Sequence, residues 1–335
     1  MEDKKYEFTG DVLEFEHISK YKLNRIRALK DFQTVDGKMV HKGDLGGWIE
    51  NEECLSHSGN CWVADEAKVL GKRSRGISLS FTKNGIVERK DSLEKLGDAI
   101  VSDNALVSDN AVVYSCRRIT DNAQVRENAF VSYSSVFDSA IVEGNTYLNS
   151  RTYVGENAHL FGNMKTYGAY IGGNAEVSGY TFLYGTTVAG NAKISGNHLT
   201  DCFVVGNVVI EDSEGKSTDE PYKSVTGFPY GIPNIENCKF SGNVRVIGQP
   251  ELYNSVFADN AVIQGKVKIQ SSKIIDNAIV DDKVKVVNNS VIVGKQLQDV
   301  VEKKKPASVS KSHSNGLKQK RTKKQNCEQQ REVSL

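Results

Sequence analysis

The sequence predicts an all-β protein: a single-chain parallel β-helix with a repeat of about 17 residues per coil, an N-terminal cap and a disordered, basic C-terminal tail. Two observations carry this prediction. One five-residue phrase occurs twice in VSDNALVSDNAVV at 101–113. It consists of an aliphatic residue, two polar residues, an Asn and an Ala. The phrase then returns at near-constant spacing over roughly 190 residues, which is typical of a solenoid with one coil per repeat.

Three lines of aliphatic residues appear when the repeats are aligned. The first line keeps its near-constant spacing on either side of one interruption, and the second line follows the first at a fixed offset. Alternate side chains of a strand share a face, so each line is expected to point into a narrow core, with three short strands per coil. The first line is Val101, Ile119, Val136, Val154, Ile171, Val188, Val204, Phe240, Phe257, Ile274 and Val291. The second is Val107, Val125, Val142, Leu160, Val177, Ile194, Ile210, Val246, Ile263, Val280 and Leu297. The third includes Val113, Val131, Leu148, Leu183, Leu252, Ile269 and Val286.

Asn precedes the small inward residue where each coil turns a corner, at 104, 122, 157, 174, 191, 207, 243, 260 and 277. Asn tolerates the left-handed backbone conformation, and Gly or Asp just before it favours the same bend. Stacked coils are also expected to place these amides above one another, where they hydrogen-bond from coil to coil. The Asn residues are therefore interpreted as architecture.

The spacing of the repeats does not by itself determine whether the β-helix is left-handed or right-handed. The hexapeptides VGENAH at 154–159, IGGNAE at 171–176 and VAGNAK at 188–193 match the pattern of left-handed β-helices. The general preference for right-handed crossovers argues the other way. Short, regular, triangular coils favour the left-handed form.

Two further segments, KYKLNRIRALKDF at 20–32 and KGDLGGWIENEECLSHSGNCWVADEAKV at 42–69, lead into the repeats. With them the chain resembles the YdcK-like β-solenoid proteins of bacteria and their mobile elements, over roughly residues 5–297. The block from GGWIE to GNCWV is more specific than any single hexapeptide. The resemblance implies a left-handed β-helix formed by one chain, with a likeness to hexapeptide acyltransferases, and it implies no residue roles.

The repeat pattern divides the chain into a capping segment at 1–54, a solenoid at 55–297 and a tail at 298–335. Trp48 and Trp62 are expected to pack over the apolar mouth of the first coil, since an uncapped solenoid end invites association. Insertions interrupt the repeats near 70–97 and 211–238; the first holds seven Lys or Arg against three acids. Long loops on a regular scaffold are common functional sites and also common neutral insertions.

Composition points to a cytoplasmic protein without a membrane partner. No apolar run approaches the roughly 20 residues of a membrane span, and acidic residues occupy the start of the chain where a secretory signal would be apolar. Cys54, His57 and Cys61 lie close enough in CLSHSGNC to suggest a metal. A structural zinc site usually needs a fourth ligand, which is missing nearby, so reduced thiols and no cofactor are expected.

His159 and His198 are weak candidates for the general base of a hexapeptide-type acyltransferase, which would use an acyl-coenzyme A donor. His159 follows Ala158 and is expected to point outward. His198 stands at the place of the small inward residue in the shortest repeat, which leaves its direction open. Neither lies in a recognisable catalytic motif, and no phosphate loop or nucleophile elbow is present.

Tyrosines form a more specific surface feature. Tyr153 and Tyr170 are one repeat period apart, and so are Tyr167 and Tyr184. Residues one period apart stack about 4.8 Å from each other on adjacent coils, so outward tyrosines would form short exposed columns. Such columns bind macromolecules or a second subunit, or they simply pack across strands.

The tail carries ten Lys or Arg and two acids from 303 to 335, leaving a net charge of −7 on the first 302 residues of a chain with net charge +1. A basic tail can bind nucleic acid or another polyanion without sequence preference, or it is a solvated end. The candidate residues are Lys303, Lys304, Lys305, Lys318, Lys320, Arg321, Lys323 and Lys324.

The sequence thus favours a non-catalytic structural or macromolecule-binding β-solenoid of bacterial or mobile-element origin. Its partner is an unknown macromolecule or a second copy of the chain, with nucleic acid as a further partner of the tail. The alternative is a hexapeptide-type acyltransferase.

Overall fold

The computed structural model describes residues 4–17, 19–71, 77–81, 87–91, 100–212, 234–284 and 286–296. These residues form a β-solenoid of about 11 turns, with parallel stacked coils of about 17 residues. Apart from one 3-10 turn at Glu52–Cys54, every regular element among them is a strand. The all-β parallel solenoid predicted from the repeats is confirmed, and the left-handed sense of its coils stays a prediction.

Each coil presents three faces, named here in the order in which the chain forms them. Face one contains Arg118–Ile119, Ser135–Val136, Tyr153–Val154, Tyr170–Ile171, Thr187–Gly190, Phe203–Gly206, Lys239–Gly242, Val256–Phe257, the first part of Lys273–Val280, and Val291–Gln296. Face two contains Trp62–Val63, Leu106–Val107, Gln124–Val125, Ile141–Val142, His159–Leu160, Glu176–Ser178, Lys193–Ser195, Val209–Glu211, Arg245–Ile247, Val262–Gln264 and the second part of Lys273–Val280.

Face three continues into the N-terminal segment and forms one sheet of 14 strands. Its coil strands are Lys68–Leu70, Val112–Tyr114, Phe130–Ser132, Tyr147–Asn149, Lys165–Tyr167, Phe182–Tyr184, His198–Thr200, Ile235–Glu236, Glu251–Tyr253, Lys268–Gln270 and Val286–Asn288. Tyr6–Glu16, Lys20–Ala28 and Leu45–Ile49 extend this sheet at its N-terminal edge. Two hairpins, Phe32–Gln33 with Met39–Val40 and Ile77–Phe81 with Val87–Asp91, lie outside the coils' ladders.

The core is the stack of inward side chains that the three aliphatic lines predict. Ile171 and Val188 pair in register on adjacent coils and are fully buried, as are their counterparts on the other two faces. Small residues such as Ala175 and Ala192 fill the corners between faces. Large residues on the faces alternate with small residues at the corners, because a narrow triangular interior cannot hold a large side chain at every inward position. This alternation fills the interior without voids, as close packing requires.

The last coil departs from the register expected from the sequence. Ile269 pairs with Val287 and Ile274 pairs with Ile292, so Val287 and Ile292 take the inward places predicted for Val286 and Val291. Val291 is 70% exposed. The last coil is therefore one residue longer than the coil before it, and a shift of one residue moves a strand's side chains to its opposite side.

Where the repeated phrase forms a corner, the left-handed backbone belongs to the residue directly before the Asn position, which Ser139 occupies in one coil. Asp103, Asp121, Asp138 and Glu156 have φ between 54° and 60°, and Gly173 continues their column with φ 69°. The expectation that the Asn of the repeated phrase adopts this conformation is therefore wrong. Where this position holds an acidic residue, its carboxylate also accepts a backbone N–H of the next coil: Asp138 N–H donates to Asp121 Oδ2 at 3.2 Å.

Asn forms the coil-to-coil ladder that the sequence predicts. Asn157 Nδ2 donates to Asn174 Oδ1 at 3.0 Å, and the same contact repeats from coil to coil. The unbroken series is Asn157, Asn174, Asn191, Asn207, Asn243, Asn260 and Asn277. These side chains lie outside the core, and their hydrogen bonds join the corner of each coil to the same corner of the next coil.

A third corner, between faces three and one, is filled by hydroxyl and thiol groups. Ser134 Oγ donates to Ser132 O at 2.8 Å and accepts from Thr152 N at 3.2 Å on the next coil. Cys116, Cys202 and Cys238 occupy the same corner, donate to backbone carbonyls and have their pKa raised to about 12 by burial. These thiols therefore act as buried, weakly donating packing groups.

The N-terminal segment packs against the solenoid differently from the expected capping by tryptophans. Tyr6, Ile26 and Ile49 are buried and join the solenoid core. Trp48 lies on the outer side of face three, beneath Arg25, and donates to the Glu66 carboxylate at 2.9 Å. Trp62 alternates with the inward Val63 and packs edge-on against Phe32 of the cap hairpin. The tryptophans thus attach the cap to the outer side of the strands rather than covering the mouth.

Candidate functional site

The predicted tyrosines lie on both sides of one corner of the solenoid. Tyr153 and Tyr170 pair in register on face one, and Tyr167 and Tyr184 pair in register on face three. Gly168 and Ala169 form the corner between Tyr167 and Tyr170. We call these four tyrosines the corner tyrosine surface. Both predicted columns exist, and the corner brings them to adjoining faces of the same coils.

Exposure differs among the four rings. Tyr170 is 41% exposed and Tyr184 is 45% exposed, whereas Tyr153 and Tyr167 are half-buried. Arg117 donates to the hydroxyl of Tyr153 at 3.0 Å. Tyr170 and Tyr184 therefore offer the most accessible ring area of the surface.

Face one extends this surface through a residue that the tyrosine spacing alone misses. Thr187 pairs with both Tyr170 and Phe203, so Phe203 stands in the same column two coils further on. The Phe203 side chain is 47% exposed. A search for any aromatic residue directly before a first-line residue would have found it, since Phe203 precedes Val204 as Tyr170 precedes Ile171.

Face three carries a row of aromatic rings on its outer side. Phe130 stacks on Tyr147 at 5.2 Å, and Tyr167 contacts Tyr147 at 6.0 Å and Phe182 at 5.7 Å between ring centroids. Such pairs stabilise a sheet face beyond their buried area. Tyr167 is therefore held in place by its neighbours, as cross-strand packing requires, while Tyr184 on the next coil stays accessible.

The N-terminal strands cover the first part of the same row. Tyr21 and Leu23 form a cluster with Leu70 and Tyr114, which Leu13, Phe15 and Phe130 also contact. The Tyr21 and Tyr114 hydroxyls are 3.0 Å apart. The outer side of face three is thus a surface on which a β-hairpin with aromatic side chains already docks.

His159 is the better placed of the two histidine candidates. It points outward on face two, its side chain is 37% exposed, and its Nε2 lies 2.8 Å from Glu143 Oε1. Arg126 also contacts the Glu143 carboxylate. Burial favours a higher pKa for Glu143, but the hydrogen bonds and charges of His159 and Arg126 outweigh it and lower this pKa below its usual value. Glu143 is therefore an ionised group that orients the imidazole.

His198 lies on the outer column of face three, because this coil is one residue short. Phe182 pairs with His198 and Leu183 with the inward Leu199, which leaves Asn197 in the small inward place. The imidazole is 4% exposed, packs edge-on against Phe182 at 4.3 Å, and has its pKa lowered to about 4 by burial. A base with that pKa is poorly matched to proton transfer near pH 7.

The segment CLSHSGNC holds three separate side chains. Cys54 Sγ donates to Asn51 Oδ1 at 3.6 Å, His57 stacks on Tyr6, and Cys61 Sγ lies 3.0 Å from Nζ of Lys5. Within the described ranges, no group of three or more His, Cys, Asp or Glu is arranged to hold a metal ion. The nearest charged or polar side-chain partner of Cys61 is thus the amino group of Lys5 rather than Cys54 or His57.

Two of the regions predicted to carry function fall largely outside the described residues. The tail candidates Lys303, Lys304, Lys305, Lys318, Lys320, Arg321, Lys323 and Lys324 lie there, as do residues 213–233 of the second insertion. Of the first insertion, the backbone of the hairpin Ile77–Phe81 and Val87–Asp91 is described.

Fold and site define a class: a single-chain parallel β-solenoid with partly exposed aromatic side chains on two adjoining outer faces. Comparison with models of protein families and with curated proteins gave no match. In the part of the chain that is described, no helix has the length and apolar character needed to cross a membrane.

Proposed function

We propose that this chain is a non-catalytic, cytoplasmic, YdcK-like solenoid that binds a macromolecule, or a second copy of itself, through the corner tyrosine surface. The observation that carries the proposal is the pair of in-register tyrosine columns flanking one corner, with Tyr170 41% and Tyr184 45% exposed. Aromatic side chains supply large contact area at low entropic cost. The surface is also rigid, because every strand beneath it is paired on both sides.

The Asn ladder is the less suitable binding surface, although it is also exposed. Each amide in the middle of the series donates to one neighbour and accepts from another, as Asn191 does with Asn207 and Asn174. An Asn side chain has two donor hydrogens and one acceptor oxygen, so little of its capacity remains for a ligand. Tyr170 and Tyr184 instead present a large part of each ring to solvent, and this area is what an interface would bury.

The test is a double substitution, Tyr170→Ala with Tyr184→Ala. We expect circular dichroism and thermal unfolding close to the wild type, because the inward Ile171 and Leu183 are unchanged. Self-association measured by sedimentation velocity, or quantitative retention of the partner from an extract of the native host, should fall at least about tenfold, as for loss of two aromatic contacts at an interface.

Tyr253→Ala is the matched control. Tyr253 lies in the same face-three column as Tyr184, two coils beyond the strand His198–Thr200, and it packs against Lys268. Its removal tests for a general effect of losing a surface ring. If both variants weaken association equally, or if the double variant binds as well as the wild type, the corner tyrosine surface is not the binding site.

The pairing of His159 with Glu143 supports a second candidate function, an acyltransferase with His159 as general base. A carboxylate that fixes the tautomer of an imidazole is a common arrangement in general base catalysis. Calorimetric titration with acetyl-coenzyme A, followed by an acetyl-transfer assay, tests it. Micromolar binding with transfer abolished in His159→Ala would favour the enzyme, whereas no heat change supports the binding solenoid.

A further inference from the structure

Lys5 and Cys61 form a buried contact between the N-terminal strand and the first coil. Both residues are fully buried, and Nζ of Lys5 lies 3.0 Å from Sγ of Cys61. The same nitrogen donates to the Cys61 carbonyl at 2.7 Å and to the carbonyls of Ser58 and Gly59 at 3.3 Å. Three backbone acceptors thus fix the nitrogen against the sulfur.

Burial acts on both groups in the direction of their uncharged forms. It lowers the pKa of the Lys5 amine, a shift that Cys61 partly offsets and Lys30 reinforces. It also raises the pKa of the Cys61 thiol, which Lys5 partly offsets. Once it has lost a proton, the amine of Lys5 carries a lone pair, and a sulfur that has been oxidised once is an electrophile. The 3.0 Å contact between Nζ and Sγ places these two atoms side by side.

We propose that Lys5 and Cys61 are a modification site, at which oxidation joins Nζ to Sγ through a single oxygen atom. Nitrogen and sulfur in such an N–O–S bridge are two covalent bonds apart, slightly closer than the 3.0 Å seen between them. A direct S–N bond would require the two atoms to approach to one bond length. The observed geometry therefore suits the oxygen-bridged product with little movement. The inference does not depend on the proposed binding function.

Hydrogen peroxide is the oxidant in this scheme, and two molecules of it are consumed. The first oxidises the thiol to a sulfenic acid: the O–O bond breaks, one oxygen stays on sulfur and the other leaves as water. The second accepts one hydrogen from the sulfenic acid and one from the amine as the N–O bond forms, and it leaves as two waters. Sulfur and nitrogen are oxidised, and both peroxides are reduced.

The position of the pair gives the bridge a consequence for the fold. Lys5 directly precedes the strand Tyr6–Glu16, and Cys61 directly precedes Trp62–Val63, so the contact spans 56 positions of the chain. A covalent link there would fasten the cap to the first coil. Ser58, Gly59 and Asn60 are exposed and lie just before Cys61, so the pair lies next to a solvent-exposed loop.

Mass spectrometry of the full-length protein before and after peroxide treatment tests the proposal. We expect the intact mass to increase by one oxygen atom less two hydrogen atoms, and dithiothreitol to reverse the change. Trypsin should no longer cleave after Lys5, and fragmentation should show one cross-linked species containing Lys5 and Cys61. Normal cleavage after Lys5 with Cys61 free or oxidised alone would overturn the proposal, as would a loss of two hydrogens without gain of oxygen.

Three variants separate the bridge from general thiol oxidation. Because the bridge would fasten the cap to the first coil, peroxide treatment should also raise the Tm of the wild type. Lys5→Met and Cys61→Ala should lose both the mass change and the rise in Tm, while Cys54→Ala should keep both. Cys54 is the matched control because it is equally buried in the same region but contacts Asn51 instead of a lysine. The peptide map of the unmutated protein decides the question if Lys5→Met fails to fold. The same mass change in Lys5→Met would contradict the assignment.

Discussion

At the scale of single residues, the corners show why a strong sequence signal can be attached to the wrong position. Asn–Ala is the conspicuous dipeptide, yet the left-handed φ belongs to the residue before it, such as Asp121 at 60°. A short acidic side chain there combines tolerance of that conformation with a carboxylate that accepts from the coil above. The sequence contained both clues, but tolerance of positive φ does not distinguish Asp from Asn.

Replacing Asp121 separates the two contributions. Asp121→Ala should destabilise the protein by about 1–2 kcal/mol, because alanine adds left-handed strain and loses hydrogen bonds. The bonds lost are those that the Asp121 carboxylate accepts from Asp138 N and Thr120 Oγ1. Asp121→Gly loses only the bonds and should cost less. Urea unfolding followed by circular dichroism measures the order. Equal losses in both variants would show that backbone strain contributes nothing at this corner.

His198 predicts a pH dependence of stability. Its pKa is lowered from 6.5 to about 4 in the folded protein by burial. The unfolded chain therefore binds the proton more readily than the folded protein does. The free energy of unfolding is unaffected by protonation of His198 above pH 6.5 and decreases as the pH falls from 6.5 towards 4, by up to about 3 kcal/mol. His198→Phe keeps an aromatic ring beside Phe182 and removes the titration.

The measurement for His198 is Tm at several pH values between 7 and 4 in both proteins. Carboxylates elsewhere in the protein titrate in the same range and affect both proteins alike. The difference in Tm between the wild type and His198→Phe therefore reports on the imidazole alone. Parallel Tm curves for the wild type and His198→Phe would show that His198 is not held neutral by the fold.

At the scale of elements, the strands were predictable to the extent that their length is constant. Ile171, Val188 and their equivalents could be placed inward from the regular step alone. Where a coil gains or loses one residue, the spacing does not say at which corner the change occurs. The short coil thus moved Asn197 inward and His198 outward, and the long last coil buried Ile292 in place of Val291.

The candidate site follows the same logic. The two tyrosine columns, Tyr153 with Tyr170 and Tyr167 with Tyr184, were predictable because the two members of each column are one regular repeat apart. The link between His159 and Glu143 was not, since these residues lie 16 apart on adjacent coils and their meeting depends on side-chain direction. Lys5 and Cys61 were further beyond reach, because the register of the cap strands does not follow the repeat.

The Asn ladder predicts a graded effect along one element. Asn191 contacts a neighbour on each side, whereas Asn104 makes one ladder contact, to Asn122 at 3.1 Å. Asn191→Ala should therefore cost about 1–2 kcal/mol and Asn104→Ala about half as much, at the lower end of values for exposed hydrogen bonds. Urea midpoints of the two variants test this. A larger loss for Asn104→Ala would contradict a ladder that acts through pairwise amide contacts.

At the scale of the whole molecule, charge is distributed unevenly along the chain. Residues 303–335 carry +8 and the rest carries −7. An acidic body repels phosphate, while a segment rich in Lys and Arg attracts it, so any binding of nucleic acid should depend on the tail. Such binding acts through counterion release and carries no preference for sequence.

Shortening the chain to end at Val301 tests this separation of roles. The full-length protein should bind a labelled DNA duplex at about 50 mM salt and lose roughly a thousandfold or more in affinity by about 200 mM, while the shortened protein should bind weakly at both. Fluorescence anisotropy with two duplexes of unrelated sequence measures affinity and selectivity together. Equal binding by both proteins would place the nucleic-acid site on the solenoid, and a preference for one duplex would rule out a purely electrostatic tail. Because the corner tyrosine surface is unchanged in the shortened protein, its self-association or partner binding should persist, which would separate the two surfaces in one experiment.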